Sequence, residues 1–107
     1  MSAANGSPTG KHFVTSLIEL GRNPNIRIVR ELRGGPRRYN ELLAAITGLS
    51  EPVVGGYLRE LDGDGLVRRR VDPGPPLRVL YELTPLGHEL APSLETIASW
   101  TRRAEGA

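Results

Sequence analysis

Between Asp62 and Gly65 the hydrophobic pattern of this chain changes period, and that change limits the fold more than any other feature. Upstream, apolar residues recur every three or four positions, as on one face of a helix. Downstream, residues 66–72 and 77–83 are short runs with β-branched residues. In the second run Val79, Tyr81 and Leu83 alternate with Arg78, Leu80 and Glu82, which is the period of a strand. Pro73-Gly74-Pro75-Pro76 joins the two runs as a rigid hairpin tip.

Four helices are expected before the switch and one after it. Residues 11–20 place Phe13, Leu17 and Leu20 at helical spacing, and Gly21 stops that helix. Asn23-Pro24 reads as an N-cap followed by proline at the first helical position, opening a helix through Ile26, Ile28, Val29 and Leu32. A third helix covers Arg38 to Ile46, with Leu42, Leu43 and Ile46 inward. Thr47-Gly48 is a tight turn, and Ser50 is a plausible cap for a fourth helix over 51–62. Thr84-Pro85 repeats the cap-plus-proline signature. It opens a last helix striped by Leu86, Leu90, Leu94 and Ile97 and extended by Trp100, which Pro92 should kink or restart. Two short helices around a tight turn, followed directly by a basic hairpin, are the plan of a winged helix-turn-helix. The expected fold class is therefore mainly α with a small β-hairpin.

The chain has 107 residues, enough for one domain, here placed at 11–105. Residues 1–10 are rich in small and turn-forming residues and are expected to be a disordered tail. They lack the basic start and apolar segment of a signal peptide. No apolar run is long enough to span a bilayer, so a cytoplasmic protein without a membrane partner is expected. With no cysteine, disulfides, thiolate metal sites and a cysteine redox switch are excluded within this chain.

Arginine supplies 13 of the 14 basic residues. Its planar fork pairs bidentately with phosphate. Arg22, Arg27, Arg30, Arg33, Arg37 and Arg38 cluster around the single acid Glu31, and Arg68, Arg69 and Arg70 form a second knot. Such clusters suit a polyanion, although most charge runs are simply solvated surface.

Residues 30–94 resemble the HxlR family of bacterial winged-helix regulators. The resemblance rests on Arg30–Tyr39 (RELRGGPRRY), Asn40-Glu41-Leu42, Gly48-Leu49-Ser50, Leu58–Leu61 (LREL), Asp64–Val71 (DGLVRRRV), Pro73–Pro76 (PGPP) and Tyr81–Leu90 (YELTPLGHEL). It implies a transcriptional regulator that binds double-stranded DNA as a homodimer on a palindromic operator, each subunit reading one half-site in the major groove. It also implies a dimer interface built from the first and last helices, here carrying Phe13, Leu17, Leu20, Leu86, Leu90, Leu94, Ile97 and Trp100. The competing reading is that these stripes pack on the domain's own core. Two departures stand out. The family's N-terminal cysteine is missing, Asn23-Pro24-Asn25 standing near its place, and the recognition-helix frame reads Ser50-Glu51-Pro52-Val53-Val54-Gly55-Gly56-Tyr57-Leu58.

In that frame Val54, Leu58 and Leu61 form the inner face. Pro52, Gly55, Gly56 and Arg59 then face outward, where base edges would lie. Proline and glycine supply no donor or acceptor for base readout. Ser50, Tyr57 and Arg59 remain as polar contacts, with Gly55 and Gly56 allowing close backbone approach. Arg37, Arg38, Tyr39, Arg68, Arg70 and Arg78 complete the expected DNA-binding set as turn and wing contacts, the arginines gripping phosphate, which positions a protein without reading sequence. The alternative is a repurposed winged helix with weakened DNA readout that binds a protein or a small hydrophobic ligand at the dimer interface. An apolar effector between Phe13, Leu17 and Trp100 belongs to either reading.

No enzymatic chemistry is expected. His12 and His88 have no partner cluster for a metal, and Ser16, Ser50, Ser93 and Ser99 lack a neighbouring His-acid pattern. Gly34-Gly35 and Gly55-Gly56 are not followed by the Lys-Ser/Thr of a phosphate loop, and no cofactor is expected.

Overall fold

The computed structural model describes residues 9–106. The five helices are α1 (Thr9–Gly21), α2 (Pro24–Leu32), α3 (Tyr39–Ala45), α4 (Glu51–Gly63) and α5 (Pro85–Gly106). Strands β1 (Arg37–Arg38), β2 (Val67–Asp72) and β3 (Arg78–Leu83) form an antiparallel sheet in the order β1-β3-β2. The expected disordered tail falls largely on residues 1–8, outside the described residues, while Thr9 and Gly10 already belong to α1. No described helix is long and apolar enough to cross a membrane.

The helix ends follow the cap chemistry of the sequence. The Asn23 side chain accepts a hydrogen bond from the backbone N–H of Asn25, 2.8 Å, one residue after Pro24. Gly65, at φ 76°, closes α4: the Leu66 N–H reaches the Leu61 carbonyl at 3.0 Å, around a bond from the Gly65 N–H to the Asp62 carbonyl. Ser50 is the N-cap residue of α4 by position, but its side chain makes no capping bond.

The core is one cluster. Ile28, Val29 and Leu32 of α2 meet Leu42 of α3, Ile46 just beyond it, Val54, Leu58 and Leu61 of α4, Val67 of β2, Leu83 of β3 and Ala91 of α5. Arg30 ties α2 to α5 by donating from Nε to the Glu95 carboxylate at 2.7 Å, with Arg102 3.6 Å from its other oxygen. The hydrogen bond from Arg30 holds the Glu95 carboxyl below the usual glutamate range, against the opposing effect of desolvation.

Two expectations about elements are corrected. The sheet has three strands rather than a bare hairpin, because Arg37-Arg38 pairs with β3 in the register Arg37↔Tyr81 and Arg38↔Leu80. A two-residue strand has no periodicity to reveal it. Pro92 does not restart the last helix, which is continuous from Pro85 to Gly106. A proline inside a helix costs about 3 kcal/mol. Here it is exposed, while Ala91, Ala98 and Thr101 are buried on both sides of it, so packing of the whole helix holds the geometry.

The start of α5 is fitted closely to the end of α4. Thr84 donates its hydroxyl to the Gly65 carbonyl at 2.6 Å and accepts from the Gly87 N–H at 3.1 Å. A Cβ on Gly87 would run into the Leu66 carbonyl and lie 3.2 Å from Leu83 Cδ2. Gly87→Ala is expected to destabilise the domain by about 1–3 kcal/mol through overpacking, read from the urea midpoint. Gly63→Ala, where a Cβ meets nothing within 4 Å, should show no loss.

Candidate nucleic-acid interface

Helix α4 displays the face the sequence implies. Val54, Leu58 and Leu61 are buried, whereas Glu51, Pro52, Val53, Arg59 and Glu60 are exposed. Gly55 and Gly56 are half-buried and do not turn into the core. A Cβ built on Gly55 would sit 3.5 Å from Arg59 Nη1, and one on Gly56 would sit 3.9 Å from Arg59 Nη2. The Arg59 guanidinium therefore lies back over the glycine pair, following the tendency of helical side chains to lean toward the N-terminus.

Beside α4 lies a groove of about 650 Å³ whose far wall is the hairpin. Arg38, Arg59, Arg69 and Arg78 border it, with Asp62 as the acid among its lining residues. Tyr39, Tyr81, Leu58 and Val79 give it an apolar lining, and Gly55 and Leu77 contribute to its walls. Four guanidinium groups against one carboxylate make the groove electropositive.

Tyr39 fixes the groove's shape. Its ring meets that of Tyr81 at a centroid distance of 6.1 Å and an interplanar angle of 47°. Its hydroxyl donates to the Glu51 carbonyl at 3.2 Å, at the first residue of α4. Desolvation, followed by the Glu51 carboxylate and Tyr81, raises the Tyr39 pKa, with Arg59 opposing. The phenol keeps its proton and remains a donor. One side chain thus links the start of α3, the start of α4 and strand β3. The backbone N–H of Arg38, preceding Tyr39, is held by the Glu41 carboxylate at 2.8 Å.

The expected DNA-binding residues divide into groups. Arg38, Tyr39, Gly55, Arg59 and Arg78 meet at the groove. Tyr57 and Gly56 lie on the opposite flank of α4, lining a shallower hollow with Pro52, Val53 and Glu60. Arg37 instead lines a small hollow with Glu31 and Glu41. Ser50 is exposed ahead of α4.

Arg68 and Arg70 are held by Glu82. Arg68 Nε is 2.6 Å from Glu82 Oε2, and Arg70 Nη1 is 3.1 Å from Glu82 Oε1, with Glu82 itself buried. Arg69, part of the second arginine knot but not of the expected DNA-binding set, lines the groove. Its register partner is Tyr81, while that of Arg68 is Glu82. Alternation along β2 therefore sends the middle arginine of the three to the opposite face of the sheet from its neighbours. That alternation, counted from buried Val67, was the signal available in the sequence. Asn40, Leu58, Asp62, Pro76, Leu77, Val79 and Tyr81 also line the groove, outside the expected contact set.

On α1 and α5 the residues expected at an interface leave an apolar shoulder uncovered. Phe13 is 65% exposed, Leu86 52% and Leu20 45%. Leu17, Leu90, Leu94, Ile97 and Trp100 are half-buried. The α5 residues that pack inward are Gly87, Ala91, Ala98 and Thr101, one position round the helix from the stripe at 86, 90, 97 and 100. Leu94 belongs to the inner side, packed against the core.

A helix-turn-helix whose second helix adjoins a three-stranded wing defines this chain as a winged-helix domain. A family model described as HxlR-like helix-turn-helix matches residues 19–106. The chain is 42% identical over 73 residues to YvaP, an uncharacterized HTH-type transcriptional regulator of Bacillus subtilis (strain 168), a match covering 68% of each protein. It is 32% identical over 81 residues to YodB, an HTH-type transcriptional regulator of the same strain, covering 76% of this chain and 72% of YodB. The reduced form of YodB superposes with a TM-score of 0.69 at 30% identity, covering 89% of this chain and 90% of that one. A structure described as a transcriptional regulator of the MarR family from Enterococcus faecalis V583 gives a TM-score of 0.67 at 27% identity, covering 99% and 96%. This chain belongs to the HxlR family and is a transcriptional regulator of the winged-helix type.

The alternative reading, a repurposed winged helix with a ligand or protein at the interface, gains no support from these relatives. The grooves described above are lined by other residues than Phe13, Leu17 and Trp100.

Glycine costs about 1 kcal/mol relative to alanine inside a helix. Because a Cβ at Gly56 would make only an ordinary van der Waals contact with Arg59 Nη2, at 3.9 Å, Gly56→Ala is expected to raise stability by roughly 0.5–1 kcal/mol, measured by thermal or urea denaturation.

Proposed function

We propose that the chain binds double-stranded DNA as a homodimer on a palindromic operator, with α4 in the major groove and the wing against the flanking backbone. The observation that carries this reading is that Arg38, Arg59, Arg69 and Arg78 all line the groove beside α4. Phosphates spaced along a duplex would meet these guanidinium groups, and each contact releases counterions. Arg59 is the donor placed for a guanine edge, and Gly55 and Gly56 let the helix approach closely. Arg68 and Arg70, expected as wing contacts, play a lesser part, since both are paired with the one Glu82 carboxylate.

The uncovered shoulder on α1 and α5 supports the dimer. Two copies joined through Phe13, Leu20, Leu86, Ile97 and Trp100 would bury it and place two α4 helices for two half-sites. No catalytic role, cofactor or effector enters this reading.

Gel-shift titration against the chain's own promoter region at several salt concentrations tests the assignment. Affinity should fall steeply with salt. Arg69→Ala should reduce the salt slope by about one unit, and Arg68→Ala should change it less. Equal effects of the two substitutions would contradict the partition made by Glu82. The interface is tested separately by Phe13→Asp. This side chain is largely exposed in one chain, so the folded monomer should tolerate the change. Light scattering should show a dimer for the parent and a monomer for the variant, with the far-UV spectrum retained.

A further inference from the structure

Between exposed Glu51 and half-buried Tyr57, the outward side of α4 carries residues with no side-chain hydrogen-bonding group. Pro52 is exposed, Val53 is 43% exposed, and Gly56 beside them has no side chain. With Tyr57 and Glu60 they line a shallow hollow of about 250 Å³. Glu60, the acid at its edge, accepts a hydrogen bond from the Asn25 side-chain amide. A helix that enters the major groove with this face presents carbon to the bases.

Carbon discriminates among base edges by what it cannot satisfy. Guanine shows two acceptors in the major groove and cytosine shows an amino donor. Pressed against Pro52 and Val53, these groups lose water and gain no partner, which is costly. A thymine–adenine pair also shows polar groups there, but thymine alone adds a C5 methyl group, and covering a methyl with carbon is a favourable contact that offsets the loss.

We infer that α4 selects half-sites with thymines under Pro52, Val53 and Gly56, reading the C5 methyl groups by carbon contact. Arg59, whose guanidinium lies back over Gly55 and Gly56 at the edge of this patch, supplies the donor for a neighbouring guanine. This specificity rests on the DNA-binding reading given above. It adds that the loss of polar side chains from the recognition face changes what is read rather than abolishing readout.

The test selects duplexes from a pool with a randomised central segment, using the full chain. The best duplex is then remade with single thymines replaced by deoxyuridine, which differs only by the methyl group. Selected half-sites should be enriched in thymine. One or more single replacements should weaken binding about fourfold, the factor expected for one buried methyl. Val53→Ala, a trim at a partly exposed position, should shrink that penalty while leaving the Tm nearly unchanged.

Full tolerance of deoxyuridine, or selection without thymine enrichment, would overturn the inference while salt-sensitive binding of the unsubstituted duplex left the DNA-binding reading standing. A full penalty retained in Val53→Ala would show that the methyl is read elsewhere, and the assignment to this patch would be wrong. Failure to bind any duplex would remove both.

Discussion

The burial of one face of α4 governs the rest of this molecule. Val54, Leu58 and Leu61 are held in a core built from α2, α3, β2, β3 and α5, so the rotation of α4 about its axis is fixed by apolar packing. Once that rotation is set, Pro52, Val53, Gly56 and Arg59 have no course but outward. Tyr39 then ties down the start of α4, bonding to its first residue and packing its ring, tilted, against Tyr81 of the wing. A recognition element needs both constraints, because a base edge is read only by side chains held in register with it. In this fold the outward face of α4 is a by-product of core geometry, and its chemistry is free to vary without disturbing the core.

Charge is partitioned by the same logic of alternation. Three consecutive arginines on β2 look equivalent as a string, yet the pleat divides them. Glu82 occupies the face that carries Arg68 and Arg70, and its carboxylate is shared between the two. Arg69 is left to the groove with Arg38, Arg59 and Arg78. The electropositive groove therefore owes its character as much to where the acids lie as to the number of bases. The near-neutral net charge of +2 conceals this separation.

Helix α5 shows how a single stripe can mislead. Leucines at 86, 90 and 94 are the obvious apolar pattern, but the side that packs hardest inward is lined by Gly87, Ala91, Ala98 and Thr101. Small residues let α5 approach its neighbours closely. Gly21 at the end of α1 meets Thr101 so tightly that a Cβ there would collide with the threonine side chain. Larger side chains one step round the helix are then displaced to its shoulder, where Leu86 stays half exposed. The stripe and the packed face are distinct because close helix contacts favour small residues, whereas hydrophobic periodicity scores large ones.

The sequence by itself determined the order of elements, the caps at Asn23-Pro24 and Thr84-Pro85, the tight turn at Gly48 and the inner face of α4. Each is set by local physics: backbone freedom, side-chain capping bonds or the spacing of apolar residues along a single helix. It also displayed the stripped recognition face, since that is merely the complement of the buried one. Tertiary structure alone decided that Arg37-Arg38 becomes a strand, that Pro92 rides inside an unbroken helix and that Tyr39 bridges three elements. It also decided that Glu82 withholds two wing arginines while Arg69 joins the groove. These outcomes depend on which distant segment lies opposite. Strand pairing and ion pairing are contacts between residues far apart in the chain, and no local window carries their partner's identity.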